Sequence, residues 1–269
     1  MELIKSKPTI EGAGVRLHRV FGYNEVPSFD PFLLLDDFSS INPDDYLAGF
    51  PWHPHRGIET VTYIIKGAVE HGDSMGNKGV IKSDNVQWMT AGSGIIHQEM
   101  PKRSEIMQGF QLWVNLPKKH KMMDPRYQEI KEIPLVEDDA RIKIIAGRYN
   151  SVKGPVKDIV ADPTYFDIEI KERFNLPIRN NYTNMVYVFE GKGTINGIKI
   201  RAGQLLTIND ELVAESKMRF LFISGKPIKE PVAWGGPIVM NTNEELRIAF
   251  DEFDKGTFIK NNWKGYYSR

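Results

Sequence analysis

Short apolar runs punctuated by Gly, Pro, Asn and Asp dominate the chain. Residues 32–35, 59–65, 87–89, 110–114, 141–145, 166–170, 185–189, 205–208 and 218–223 have the length and the turn-forming flanks of strands. A single segment has helical spacing. Thr242-Asn243-Glu244-Glu245 fits a capping box, in which the Thr242 hydroxyl accepts from the third amide. Leu246, Ala249, Phe250 and Phe253 follow on one helical face, and Gly256 ends the pattern as the residue after the C-cap. Many strands and one late helix predict an all-β sandwich or barrel.

The strands recur in order. Tyr63-Ile64-Ile65-Lys66-Gly67 matches Tyr187-Val188-Phe189-Glu190-Gly191 at an offset of 124 residues. Gln87-Trp88-Met89-Thr90 matches Gln204-Leu205-Leu206-Thr207 at an offset of 117, so the second copy carries a loop shorter by seven. Two matches in one order with one deletion predict two copies of a β-domain. The expected domains are residues 1–135 and 136–269, joined at the acidic stretch 136–139. Gly191-Lys192-Gly193 lacks the Gly-Lys-Ser/Thr ending of a phosphate loop and is read as a β-turn. The basic run Lys118-Lys119-His120-Lys121 is read as a solvated loop.

Composition narrows the chemistry. The 269 residues carry 35 Lys+Arg against 35 Asp+Glu and no cysteine. Disulfides, thiolate metal sites and thiol nucleophiles are thereby excluded. Zero net charge argues against a general electrostatic grip on nucleic acid or on an anionic membrane. The N-terminal MELIKSKPTI lacks the apolar stretch of a signal peptide, and no run is long and apolar enough for a membrane helix. A cytoplasmic location is expected.

Histidine placement is uneven. All six histidines (His18, His53, His55, His71, His97 and His120) fall in the first 120 residues. His53-Pro54-His55 and His97-Gln98-Glu99 each place two potential ligands at i and i+2, on one face of a strand. Facing pairs of this kind offer three imidazoles and one carboxylate to one iron, manganese, nickel or copper ion, with positions left open. The offsets of the repeat map His53 and His55 onto Pro177 and Arg179, and His97 and Glu99 onto Ala214 and Ser216. Metal is expected in the first copy alone. His18 and His71 have no paired ligand nearby and are read as structural.

At these residues the chain resembles the cupin superfamily and, more closely, the pirin family. HPHRGIETVTYIIKG (residues 53–67) is similar to the first cupin motif, and WMTAGSGIIHQEM (residues 88–100) to the second. DPFLLLDDF (30–38), HQEMP (97–101) and EPVAWGGPIVMNTNEEL (230–246) resemble pirins in particular. The resemblance implies a bicupin: two tandem jelly-roll β-barrels with a short C-terminal helix, and metal in the N-terminal barrel. It also implies His53, His55, His97 and Glu99 as ligands. Generic cupins use the glutamate of the first motif instead, here Glu59. Spacing leaves both open, while HQEM favours Glu99 and would make Glu59 an outer partner that orients a ligand or water.

Pirin-like proteins resemble quercetin 2,3-dioxygenases, which open the central flavonol ring with O2 and release carbon monoxide. On that reading Glu99 takes the proton of the flavonol 3-hydroxyl. Gln111 is expected in the metal's outer shell, and Phe50, Trp52 and Met89 on an apolar substrate wall. The expected cofactor is one divalent transition metal ion, iron first, with manganese, nickel, copper, cobalt and zinc as alternatives. The other reading implied by the family is a non-catalytic, metal-dependent regulator that binds transcription factors or metabolic enzymes, acting through protein partners and not directly on nucleic acid.

Overall fold

The structure, a computed structural model, describes residues 1–260; the remainder of the expected second domain, 261–269, lies outside the described residues. The all-β, two-barrel architecture expected from the sequence is the one observed. Each expected strand is present, commonly one or two residues longer than its apolar centre, as at Phe32–Asp37, Ile58–Lys66 and Ala140–Ala146. The helix is Asn243–Asp254. Thr242 caps it by accepting from the Glu245 amide, and Glu245 reaches back to complete the box. Gly256 follows with φ of 71°, the left-handed conformation that such a helix end requires. No described helix is long and apolar enough to cross a membrane.

The first barrel faces a seven-stranded sheet with a four-stranded one. In the larger sheet the order is Arg126–Ile130, Asn85–Thr90, Ile58–Lys66, Gln108–Asn115, Phe32–Asp37, Val15–Phe21 and Lys7–Glu11. The smaller holds Phe50–His55, Ile95–Pro101, Ala68–Asp73 and Lys78–Lys82. Alternation along Ile58–Lys66 assigns the two faces of the large sheet. Val61, Tyr63 and Ile65 enter a core shared with Tyr165, Met185, Tyr187, Leu221 and Ile223 of the second barrel, whereas Thr62 faces the first barrel's interior. The barrels are therefore packed back to back through their large sheets. The two tyrosines matched by the repeat cross this interface in opposite directions. Tyr63 Oη donates to Asp167 at 2.6 Å, and Tyr187 Oη donates to Asp37 at 2.8 Å.

The chain ends are exchanged between the barrels. Leu3–Lys5 pairs with Gln204–Ile208 and so extends the second barrel's ten-stranded sheet. In return Val239 packs with Leu33, Met89 and Ile95, and Ile238, Met240, Ala249 and Phe258 pack against Ile96 of the first. Sequence order alone does not reveal this, because both exchanges are long-range contacts between short segments.

Two local expectations fail. Gly191 and Gly193 lie inside one continuous strand, Thr183–Ile195, and form no turn. A register shift between Val188 and Glu190, with Gly191 at φ of 80°, bends the strand so that it serves two strand sets. The basic run is also not wholly solvated. Lys121 is buried, and its Nζ donates to Gly57 O at 2.8 Å, Asn115 Oδ1 at 2.7 Å and Val239 O at 3.0 Å. Burial pushes this amine down to about 7. It ties the returning C-terminal segment to the turn that follows His55.

Candidate metal centre

Three histidines converge because two strands are in register. Phe50–His55 and Ile95–Pro101 run antiparallel with His53 opposite His97 and His55 opposite Ile95. Period-2 alternation then turns His53, His55 and His97 to one side. Ring centroids are separated by 4.8 Å for His53–His55, 4.4 Å for His53–His97 and 5.0 Å for His55–His97. One ring nitrogen from each lies within 4.8 Å of the other two.

The hydrogen bonds fix which nitrogens are free. His53 Nδ1 is 2.8 Å from the Pro51 carbonyl, and His55 Nδ1 is 2.9 Å from the Pro237 carbonyl. A carbonyl only accepts, so both Nδ1 atoms carry the proton and both Nε2 atoms carry lone pairs. Those two Nε2 atoms stand 3.1 Å apart, and both nitrogens of fully buried His97 lack a partner. Burial holds all three imidazoles below their ordinary pKa, with repulsion from neighbouring histidines adding to the effect. Neutral lone pairs facing one another need a cation between them. The donor set thus fits a first-row metal ion.

Glu99 follows His97 by two residues, opposite Phe50 and His71 on the flanking strands. Its carboxylate is not among the atoms grouped around the three imidazoles; it is buried, lines the same cavity and sits 2.6 Å from the Thr62 hydroxyl. Thr62 is in turn 2.7 Å from Gln111 Oε1, and Gln111 lines the cavity. Glu59 is elsewhere. The chain leaves the small sheet at Arg56-Gly57 and enters the large one at Ile58, so parity with His53 and His55 does not carry across. Glu59 shares parity with Val61 and Tyr63, on the face turned to the other barrel, and accepts from Thr90 at 2.8 Å. An outer-shell position for Glu59 is therefore corrected: its side chain is on the far face of the sheet from Thr62.

The cavity has a volume of about 620 Å³. Phe50 lines it, because a bulge opposite His97–Glu99 adds a residue to the strand and turns Phe50 to the histidines' side. Trp52 and Met89 do not line it. Trp52 alternates out of phase with His53 and packs with Ile96 and Ile238, while Met89 is buried among Leu33, Ile58 and Ile95. The aromatic wall is built instead from Trp113, whose ring meets His55 edge-on at 5.0 Å, with Trp234 and Tyr23. The segment bearing Trp234 and Pro237 arrives from the other end of the chain, so only its sequence motif hinted at a role.

His71, read as structural from the sequence, stands beside the cluster. Its ring is buried 5.6 Å from that of His97, stacks on Tyr127 at 4.8 Å, and its Nε2 is 3.1 Å from Asp73 Oδ2. The pairing of His71 with Glu99 and of Asp73 with His97 on adjacent strands is what brings it there. Arg56 braces the other side. Its buried guanidinium donates to Ser93 O and Phe258 O and pairs with Glu252 at 2.7 Å, which pins the C-terminal segment over the site.

The chain is similar to known proteins over nearly its whole length. Residues 14–114 match the Pirin family, and residues 165–259 match the Pirin C-terminal cupin domain. A "Pirin-like protein" of Caulobacter vibrioides is 42% identical over 96% of this chain and 98% of its own length. "Pirin" of Rattus norvegicus is 37% identical over 97% of this chain and 93% of its own. The crystal structure of a quercetin 2,3-dioxygenase from Acinetobacter baumannii superposes with a TM-score of 0.87 at 32% identity, covering 96% of this chain and 97% of that one. Two barrels back to back, a histidine cluster in the first alone, and matches to both halves of one family lead to a single conclusion: the chain belongs to the pirin family of two-domain cupins.

Proposed function

We propose that the chain is a metal-dependent dioxygenase that opens the central ring of flavonols such as quercetin. In this reading His53, His55, His97 and Glu99 hold one divalent transition metal ion, iron first among the candidates. The observation that carries it is the pair of Nε2 lone pairs 3.1 Å apart at the end of an aromatic-walled cavity. The similarity to a protein described as a quercetin 2,3-dioxygenase supports the substrate class.

The cavity volume falls within the roughly 300–1,000 Å³ of small-molecule sites, and Trp113, Trp234 and Phe50 give flat apolar surfaces for a planar ring system. The ion, when bound, supplies Lewis acidity and access to O2 chemistry. Glu99 serves as ligand and as base in turn, and takes the proton from the flavonol 3-hydroxyl. The Thr62 hydroxyl, bonded to Glu99 Oε1, orients the carboxylate and leaves Oε2 to receive that proton. Pro51 and Pro237 fix the tautomers of His53 and His55, so those rings need not reorganise as the substrate's charge develops.

The test is aerobic turnover of quercetin by protein loaded in turn with each first-row ion, followed by loss of flavonol absorbance and release of carbon monoxide. Metal-loaded protein should turn over and metal-free protein should not. Glu99→Gln, assayed at saturating metal, should lower turnover by about 10²-fold or more. A stoichiometrically loaded protein that leaves quercetin intact with every ion would contradict the enzyme reading and leave the regulatory one.

A further inference from the structure

Four polar side chains stand in one row across the floor of the cavity. Thr62 is paired with Gln111, Gln111 with Asp36, and Asp36 with Arg19, on four successive strands of the large sheet. All four line the cavity. The row beside them is apolar, with Leu34 opposite Trp113, and Leu17 continues that apolar surface two residues before Arg19. Neighbouring strands are about 4.8 Å apart. Asp36 therefore lies two steps, about 10 Å, from Thr62, and Arg19 one step further. The row starts at the hydroxyl that orients Glu99 and ends far from the histidines.

The distal end has a definite chemistry. Arg19 holds Asp36 with two parallel bonds, Nε to Oδ1 at 2.9 Å and Nη2 to Oδ2 at 2.8 Å, and holds Glu11 with Nη1 to Oε1 at 2.8 Å. Two carboxylates on one guanidinium leave a net negative charge. They also leave acceptor lone pairs on a buried Asp36 whose orientation is locked. Such an end attracts a neutral hydroxyl donor and repels an anionic group.

We infer that Asp36, held by Arg19, is a specificity-determining acceptor for a phenolic hydroxyl on the end of the substrate remote from His53, His55 and His97. The inference rests on the flavonol reading and narrows it. With the 3-hydroxyl at Glu99, the outer ring of a flavonol extends along the polar row toward Asp36. Preferred substrates then carry hydroxyls on that ring; an unsubstituted ring leaves the acceptor unpaired, and a carboxylate there meets like charge.

Equilibrium binding to metal-loaded protein without O2, read by tryptophan fluorescence or calorimetry, tests this directly. The probes are quercetin, the flavonol that lacks both outer-ring hydroxyls, and a flavonol with a carboxylate on that ring. The parent should bind quercetin at least about tenfold more tightly than the unhydroxylated probe, and the carboxylate probe most weakly. In Asp36→Asn the affinity for quercetin should fall toward that for the unhydroxylated probe, so that the ratio shrinks to about threefold or less. Equal binding of the two probes by the parent, or an undiminished ratio in Asp36→Asn, overturns the inference. The parent's ratio decides even where the variant fails to fold. Binding of none of the probes overturns the flavonol reading together with it, whereas binding without discrimination leaves that reading standing.

Discussion

The two barrels share a fold and differ in what fills them. In the second, Phe174, Leu176, Leu212 and Ala214 meet Ile142, Phe166, Ile168 and Phe220 in a closed apolar core. In the first, the same layer of strands presents His53, His55 and His97 beside a cavity. The correspondence is set by strand pairing. His97 stands opposite His53, and Ala214 stands opposite Phe174, with Leu212 opposite Leu176. Phe174 and Leu176 therefore occupy the places that counting along the repeat gives to Pro177 and Arg179. The conclusion drawn from that counting is unchanged: none of these residues binds metal. One scaffold thus supports either a packed core or a chemical site. The choice lies with the inward residues of two strands, while the shared back-to-back interface holds both barrels in place.

The comparison breaks most visibly at His97. Its two ring nitrogens are buried and unpartnered, so its only evident gain comes from a bound ion. His97→Ala should reduce bound metal from one equivalent per chain to none, measured by elemental analysis after gel filtration, with β circular dichroism retained. Collapse of the fold would mean that the cluster is structural.

The mirror experiment belongs to the second barrel. Phe174→Ala removes a buried ring from a closed core and should cost about 3–5 kcal/mol in urea denaturation. Bound metal should remain at one equivalent. Loss of metal in this variant would show that the two interiors are coupled more tightly than the separate clusters imply.

A smaller effect separates the glutamates. Burial pushes the Glu59 carboxyl up to about 7. The folded chain therefore keeps this proton at pH values where the unfolded chain has released it. The associated stability is full below the ordinary carboxyl range and is lost as pH rises through about 7, by up to about 3 kcal/mol. Glu59→Gln should remove that loss, so the variant is the more stable above pH 7 and nearly equal to the parent at pH 4. Metal affinity should not change, because Glu59 is turned to the other face of the sheet. A fall in affinity would restore Glu59 to the site.

Much of this was legible beforehand, for identifiable reasons. Apolar runs between turn residues located the strands, and the box at Thr242 located the helix, because both are local. The histidines were legible as i, i+2 pairs because alternation is local too. The expected place of Glu59 near the metal is not met, because Gly57 at φ of 79° carries the chain from one sheet to the other and resets the alternation. Trp52 fails the same test in reverse: its phase against His53 already excluded it from the cavity. Trp234, Pro237 and Arg19 reach the site through pairings that no local pattern encodes. Lys121 hid in a basic run because two of its three acceptors, Gly57 O and Val239 O, come from distant segments.

Anomalous diffraction at the absorption edge of the loaded ion locates the metal in the crystal. One strong peak per chain is expected, within about 2.0–2.3 Å of ring nitrogens of His53, His55 and His97, and no peak inside the second barrel. A peak among Phe174, Leu176 and Ala214, or full metal occupancy with no peak at the three histidines, would contradict it.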